Sequence, residues 1–339
     1  MSAGLTDNDN MVSGRNIVPW HGLGEVVKGL MTAEECVKAA SLNWPVEVED
    51  IFDVRGNVIP ERFAVTRKAR AGVNNRAGEP EKDIVLEIVG NRYRPIQNTE
   101  SFGFFDEVIG QKQAFYETAG SLGEGRKIWV MATLPGHLFI NSNPDDKTEK
   151  WVLLHTSHDG SASLSLQLVA VRVVCQNTLS AALKSRTNVV KIRHTENFKL
   201  RVRDAQKTLE LATAYFDDLQ GLMNKLAAQP MNKDEMVKFT EVLLPTPARE
   251  AVIVGATAGV VNANDPSTRL INTRSAIVGL FDRGAGNRGQ NRWDALNAVT
   301  DYVDHERSSR KTTTRMESAV LESGSGYRLK QRAVDLLSA

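Results

Sequence analysis

The sequence predicts an α+β protein, with an antiparallel β-sheet core and packed helices followed by a mainly helical C-terminal region. Two observations lead to this class. Short β-like runs between residues 114 and 174 are separated by turns containing Gly and Asp, which is typical of antiparallel strands. From residue 202 to residue 226, apolar residues recur at intervals of three and four, which is the spacing of one helix face.

Each element follows from a local pattern. Thr32 with Glu35, and Asn232 with Glu235, form capping boxes that start two helices. Apolar runs and alternating patterns predict strands over 44–50, 58–67, 84–89, 114–119, 127–134, 151–155 and 162–174. Helical spacing predicts further helices over 99–109, 178–184, 199–229, 267–281, 292–306 and 329–337. Asn177 is expected to cap the helix over 178–184.

The length of 339 residues is typical of about two domains. We predict an α+β core domain over 16–198, a helical domain over 199–306, and a loose tail with a short terminal helix over 307–339. Residues 1–15 are rich in Asn, Asp, Ser and Gly and offer little apolar surface to bury. We therefore predict that they form a disordered leader.

Composition narrows the class of function. The chain has 42 basic and 41 acidic residues and a net charge of +1, so affinity for a polyanion has to come from local clustering. Cys36 and Cys175 lie far apart in sequence, which fits free thiols in a reducing compartment. The polar N-terminus does not resemble a signal peptide, and no apolar run approaches the roughly 18 residues of a membrane span. We expect a cytoplasmic protein without a membrane partner.

The strongest functional signal is the segment 184–203, hereafter the basic strip. It carries seven basic residues against one acid, Glu196, which gives a local charge of about +6 before His194 is counted. Side chains that neutralise phosphates release counterions, so such a cluster predicts salt-sensitive binding of nucleic acid. A solvated charged surface between two domains is the alternative. The predicted contact residues are Lys184, Arg186, Lys191, Arg193, His194, Lys199, Arg201 and Arg203.

Three more basic residues are predicted to join the strip in space. Arg126 and Lys127 begin a predicted strand, and Arg172 lies between β-branched residues on another. A guanidinium in the latter position either pairs with a carboxylate or points at an anion. A second basic stretch, over 62–76, is a further candidate for the same surface.

Signals for catalysis, a metal or a cofactor are weak. His155 and His158 are three residues apart, so on one strand they point to opposite faces. Asp159-Gly160 is better explained as a hairpin turn. Residues 284–289 match G-x-G-x-x-G by letter but follow a predicted helix, so they do not predict a dinucleotide site. A phosphate-contacting loop is the alternative there, because a helix begins at Arg292. We predict no catalytic residue, no cofactor and no metal.

Five stretches resemble one family. They are PWHGLG at 19–24, YETAGSLGEGRKIW at 116–129, SHDGS at 157–161, VRVVCQNTL at 171–179 and NRWDALNAVTDYV at 291–303. Together they resemble the phage/plasmid-like protein family defined by the domain of unknown function 932, in the right order along the chain. The stretch 243–268 departs from the family pattern. The resemblance implies a mobile element, a bacterial host cytoplasm and a role near DNA metabolism, and it implies no catalytic residues.

These observations favour a non-enzymatic nucleic-acid-binding protein of a phage or plasmid, acting in recombination, replication or DNA protection. Single-stranded DNA is the expected partner, because β-hairpins followed by a helix and a basic groove are similar to phage single-strand annealing proteins. The spacing over 202–226 adds a homo-oligomer through that helix, with packing on its own domain as the alternative. Two other functions stay open: an enzyme acting on nucleotides or nucleic acid, and a counter-defence protein that binds a host factor.

Overall fold

The computed structural model describes residues 6–14, 25–29, 31–109, 115–143, 145–174, 177–179, 183, 188–192, 202–246, 266–308, 315–322 and 324–339. The strands within these residues are β1 (Met11–Ser13), β2 (Glu25–Val26), β3 (Val46–Phe52), β4 (Val58–Arg67), β5 (Ile84–Gly90), β6 (Phe115–Leu122), β7 (Lys127–Phe139), β8 (Lys147–Ser157), β9 (Leu164–Arg172), β10 (Asn177–Leu179) and β11 (Val189–Ile192). The α-helices are α1 (Ala33–Ala39), α2 (Asn98–Ile109), α3 (Val202–Ala227), α4 (Lys233–Leu243), α5 (Thr268–Arg283), α6 (Arg292–Asp301), α7 (Arg315–Val320) and α8 (Ser325–Ser338). A 3-10 turn covers Ile140–Ser142, and a π-helix, Tyr302–Glu306, continues α6.

An eight-stranded sheet forms the centre of the fold. Its order is β10-β9-β8-β7-β6-β1-β2, and β11 pairs with β9. The strands pair antiparallel except for β1 with β2. A second sheet, β3-β4-β5, is also antiparallel. Together with a helical C-terminal part, this confirms the predicted α+β class.

Helices cover both faces of the large sheet. On one face, alternate residues such as Val130 and Leu154 belong to the larger core, which also contains Phe105 of α2 and Phe216 of α3. On the other face, Trp129 and its neighbours form a smaller core with residues of α7 and the π-helix. The larger core thus contains residues from both predicted domains, and the boundary at residue 198 stays a prediction.

The seam of α3 is covered by its own chain. From residue 212 onward its apolar residues are at most 3% exposed and belong to the larger core, namely Ala212, Phe216, Leu219, Met223 and Leu226. Packing on its own domain was the alternative that the sequence left open. A homo-oligomer through this seam is not supported.

Both predicted capping boxes are confirmed. The Thr32 hydroxyl accepts a hydrogen bond from the backbone of Glu35, and the Glu35 carboxylate accepts one from the backbone of Thr32 at 2.8 Å. Asn232 and Glu235 repeat this arrangement at the start of α4. Such caps satisfy amide groups that have no partner within the helix.

Two local predictions are wrong. Residues 6–14 do not form a disordered leader, because β1 pairs with β6 and the side chain of Asp9 is fully buried. Asn177 does not cap a helix, because residues 177–179 form β10. The short strand lies on β9, where tertiary pairing outweighs the local helical pattern. Residues 247–265, within the stretch 243–268 that departs from the family pattern, lie outside the described residues.

None of the helices in the described part of the chain is long and apolar enough to cross a membrane.

Candidate functional site

Strand register brings three basic side chains to one face of the large sheet. His155 of β8 lies opposite Ser165 of β9, and Ser165 lies opposite Lys191 of β11. Trp129 of β7 is opposite His155, and Lys127 lies two residues before it on the same strand. Directly paired residues, and residues two apart on a strand, share a face. Lys127, His155 and Lys191 therefore form one group, hereafter the basic sheet face.

The two lysines of this group affect the pKa of His155. Burial lowers the pKa of His155 to about 4, and the positive charges of Lys191 and Lys127 act in the same direction. His155 is therefore neutral at pH 7. The Lys191 ammonium forms an ion pair with Glu322, and both side chains are about half exposed.

The guanidinium of Arg126 is hydrogen-bonded to other residues of the protein. Its Nε donates to the Leu86 carbonyl at 2.9 Å, and Nη1 donates to the Gly123 carbonyl and to the Glu124 carboxylate. Its side chain is 37% exposed. Arg126 adds positive charge beside Lys127, but its guanidinium already has three acceptors.

Arg172 pairs with a carboxylate, one of the two alternatives that its sequence position suggested. The residue is 3% exposed, and its guanidinium binds both oxygens of Asp146. Further acceptors are the Gly286 carbonyl and Asn287 Oδ1, and Trp293 lies against the guanidinium with 5.8 Å between Cζ and the ring centre. This geometry gives Arg172 a role in holding the fold together.

Three cations of the second basic stretch are paired with neighbouring acids. Arg67 and Arg70 both pair with Glu81, and Lys68 pairs with Glu49 and Asp83. The side chains of Arg67 and Glu81 are each 4% exposed, so this pairing belongs to the interior. Because all three side chains have acid partners, they do not extend the basic sheet face as an unpaired cationic surface.

Most of the basic strip lies outside the described residues, namely Lys184, Arg186, Arg193, His194, Lys199 and Arg201. Arg203 lies in α3, but its side chain is not among those described. The strip begins before β11, includes that strand and ends at the start of α3. A groove formed by the whole strip stays a prediction.

A cleft of about 360 Å³ is lined in part by Arg172. It lies between the segment 140–146, the end of β9 and the loop that joins α5 to α6. Amide and carboxylate side chains make up most of its polar lining: Asn141, Asn143, Asp145, Asp146, Asn287, Gln290, Asn291 and Asp294. Arg172 and Arg288 are the cations in that lining.

The cleft is poorly suited to phosphate. At the start of α6, Asn291 Oδ1 accepts from the backbone of Asp294, and Asp294 Oδ2 accepts from the backbone of Gln290. The Arg292 backbone donates to the Gln229 carbonyl at 3.0 Å. A carboxylate therefore already occupies the position at a helix N-terminus where an anion would bind. The suggested phosphate-contacting loop is not favoured by this geometry.

The predicted hairpin turn at Asp159-Gly160 is confirmed. Gly160 has a φ of +70°, Asp159 Oδ1 accepts from the backbone of Ser161, and the Ser157 hydroxyl bonds to Ala162. His158 is fully buried, with Nε2 2.9 Å from Asn98 Oδ1. Among the described residues, no group of three His, Cys, Asp or Glu side chains is arranged to hold a metal ion.

Sequence reasoning missed a buried ion pair between Lys330 of α8 and Asp304 of the π-helix. Lys330 Nζ lies 2.5 Å from Asp304 Oδ1 and also donates to the Thr178 carbonyl and hydroxyl. Burial lowers the pKa of Lys330, while Asp304 acts in the opposite direction. A signal existed, because Lys330 lies three residues after Tyr327 and three before Ala333, both buried on the same helix face.

Comparison with known proteins gives one match. A family model described as Domain of unknown function (DUF932) matches residues 85–322, more than half of the chain. No curated protein and no solved structure matches. The stretch at 19–24, part of the resemblance seen in the sequence, lies outside the matched residues.

Proposed function

Because the chain belongs to the family of the domain of unknown function DUF932, whose description assigns no activity, we propose its function from its own residues. The proposal is that it binds nucleic acid, with single-stranded DNA as the preferred partner, in the DNA metabolism of a phage or plasmid. Lys127 and Lys191 of the basic sheet face make phosphate contacts together with the basic strip.

The observation that supports this proposal most is the convergence of two separate basic segments. Lys127 precedes the basic strip by more than 50 residues in sequence, yet strand pairing places Lys127 and Lys191 on the same face of the large sheet. Lys191 lies on β11 and belongs to the basic strip, whose local charge is about +6. Clustered cations of this kind are the footprint of a phosphate-binding surface.

The carboxylate of Glu322 competes with phosphate for Lys191, but only weakly. Ion pairs between exposed side chains contribute only about 0–1 kcal/mol, since water screens both charges. A phosphate therefore competes for Lys191 at little cost. Arg172 is not part of the proposal, because Asp146 holds its guanidinium inside the fold.

The test is fluorescence-anisotropy binding of a labelled single strand and the matching duplex across a salt series. We expect binding at low salt that weakens steeply as salt increases, with a slope of about −0.7 in log K per single-strand phosphate contact. We also expect the single strand to bind more tightly than the duplex. Absence of binding at the lowest salt concentration would remove the proposal.

The cleft supports a second candidate function, the binding of a small polar molecule as in the enzyme alternative. A concave site with several converging polar groups is the usual form of a ligand site. Three aspartates against two arginines in its lining favour an uncharged or cationic ligand over a nucleotide. A thermal-shift panel that compares nucleosides with their monophosphates tests this: the cleft predicts stabilisation by the former only.

A further inference from the structure

Three polar atoms beside Arg172 have no hydrogen-bond partner among the residues that the structure describes. They are Thr148 Oγ1, Asn177 Oδ1 and Trp293 Nε1. The three residues are 2%, 3% and 5% exposed, so bulk water does not reach them. Buried polar atoms in proteins are nearly always bonded, either to the protein or to an ordered water. Three such atoms in one place therefore point to a ligand.

Strand register places the three residues together. Thr148 of β8 and Asn177 of β10 both lie directly opposite Arg172 of β9. Directly paired residues share a face of the sheet, so the two flank Arg172 on the same face. Trp293 of α6 covers that face, because its ring lies against the Arg172 guanidinium.

All three residues line one small cavity of about 10 Å³. A polar cavity of roughly 10–15 Å³ has room for one water molecule and for nothing larger. The lining includes one charged side chain, Arg172, whose charge is balanced by Asp146. The cavity therefore suits a single neutral ligand that both donates and accepts hydrogen bonds.

We propose that this cavity is the binding site of one ordered water molecule. The water donates to Asn177 Oδ1 and accepts from Trp293 Nε1, because an amide oxygen only accepts and an indole N–H only donates. Asn177 Nδ2 donates to the Asn297 carbonyl at 3.3 Å, which fixes Oδ1 as the atom without a partner. The Thr148 hydroxyl takes a third position on the water, as donor or acceptor.

The bound water links β8, β10 and α6 behind the Arg172–Asp146 pair. Arg172 and Trp293 line both the small cavity and the cleft, so the water lies directly behind that wall of the cleft. Water sites of this kind make about three hydrogen bonds and are costly to remove. The site is independent of the proposed nucleic-acid binding.

Thermal melting of Thr148→Val tests the site, because the presence of water decides the sign of the change. With water bound, the methyl group removes one of its three partners, and the melting temperature falls by about 1–3 °C. In a dry cavity the same change removes an unpaired buried hydroxyl, and the melting temperature rises or stays the same.

A crystal structure of the unaltered protein at about 1.5 Å decides the matter directly and does not depend on how the variants fold. The expected result is one density peak within about 3.2 Å of all three atoms. An empty cavity, or side chains rotated to pair with other groups, would overturn the proposal.

Discussion

Arg172 and Asp146 form a two-point ion pair at the wall of the cleft. Arg172 Nε lies 2.7 Å from Asp146 Oδ1, and Nη2 lies 2.6 Å from Oδ2. The two side chains are 4% and 18% exposed. The guanidinium is planar and matches both carboxylate oxygens at once, which an ammonium group does not do.

Arg172→Lys is expected to lower the free energy of unfolding by about 2–4 kcal/mol, because the lysine loses the two-point geometry at a buried site. Urea denaturation measures this loss. The salt dependence of nucleic-acid binding should be unchanged, since Arg172 makes no phosphate contact in this account. A slope that becomes shallower by about 0.7 would return Arg172 to the binding surface.

Lys330→Met should destabilise the protein by about 3–5 kcal/mol, because it leaves the carboxylate of Asp304 buried without its cation. The readout is again the free energy of unfolding in urea. Lys225→Met is the matched control, since Lys225 is exposed and donates to the carbonyl of Ser338. The control should cost no more than about 0.5 kcal/mol. Equal losses in the two variants would contradict the role given to the buried pair.

Stability should fall as pH decreases from about 6.5 towards 4, in part because of His155. Its pKa is lowered from 6.5 to about 4 in the folded protein, by burial first and then by Lys191 and Lys127. The unfolded chain binds this proton at a higher pH than the folded chain does, so the stability contributed above pH 6.5 is lost on acidification. The side chain is partly exposed, so we expect a loss on the order of 1–3 kcal/mol.

The variant His155→Gln isolates this contribution. Urea midpoints at pH 7.5, 5.5 and 4.5 should decline less for the variant than for the unaltered protein. Parallel declines would show that His155 titrates normally and that the two lysines do not act on it.

Asp9 should stabilise the fold although it lies in a stretch with the composition of a disordered leader. Its carboxylate accepts hydrogen bonds from the Ser121 hydroxyl and from the backbones of Glu124 and Gly125. Asp9→Ala is expected to cost about 2–3 kcal/mol, since hydrogen bonds to a charged group are the stronger kind. Limited proteolysis should then cut near residue 10 sooner. Resistance equal to that of the unaltered protein would show that the Asp9 carboxylate does not hold this stretch in place.

Local signals in the sequence were sufficient for much of the fold. The capping boxes, the turn at Asp159-Gly160 and the antiparallel strands depend on neighbours within a few residues, so the sequence predicts them well. The order of Asp9 depends on residues more than 100 positions away, and the strand at 177–179 depends on pairing with β9. No local pattern contains that information.

The candidate site, like the fold, could be predicted from the sequence only in part. Charge counting finds the basic strip, because net charge is a property of composition. It does not distinguish Lys191, which remains about half exposed, from Arg172, which is buried against a carboxylate 26 residues earlier in the chain. That distinction requires the tertiary partner of each side chain, which only the fold provides.

The most direct test of nucleic-acid binding by the basic sheet face is the salt dependence of single-strand affinity for Lys127→Gln/Lys191→Gln. Lys233→Gln, which removes one exposed charge on α4, serves as the control. We predict weaker binding by the double variant and a slope shallower by about 1.4, which is two phosphate contacts at about 0.7 each, with no change for the control. An unchanged slope in the double variant, with folding verified by circular dichroism, would show that Lys127 and Lys191 do not contact phosphate.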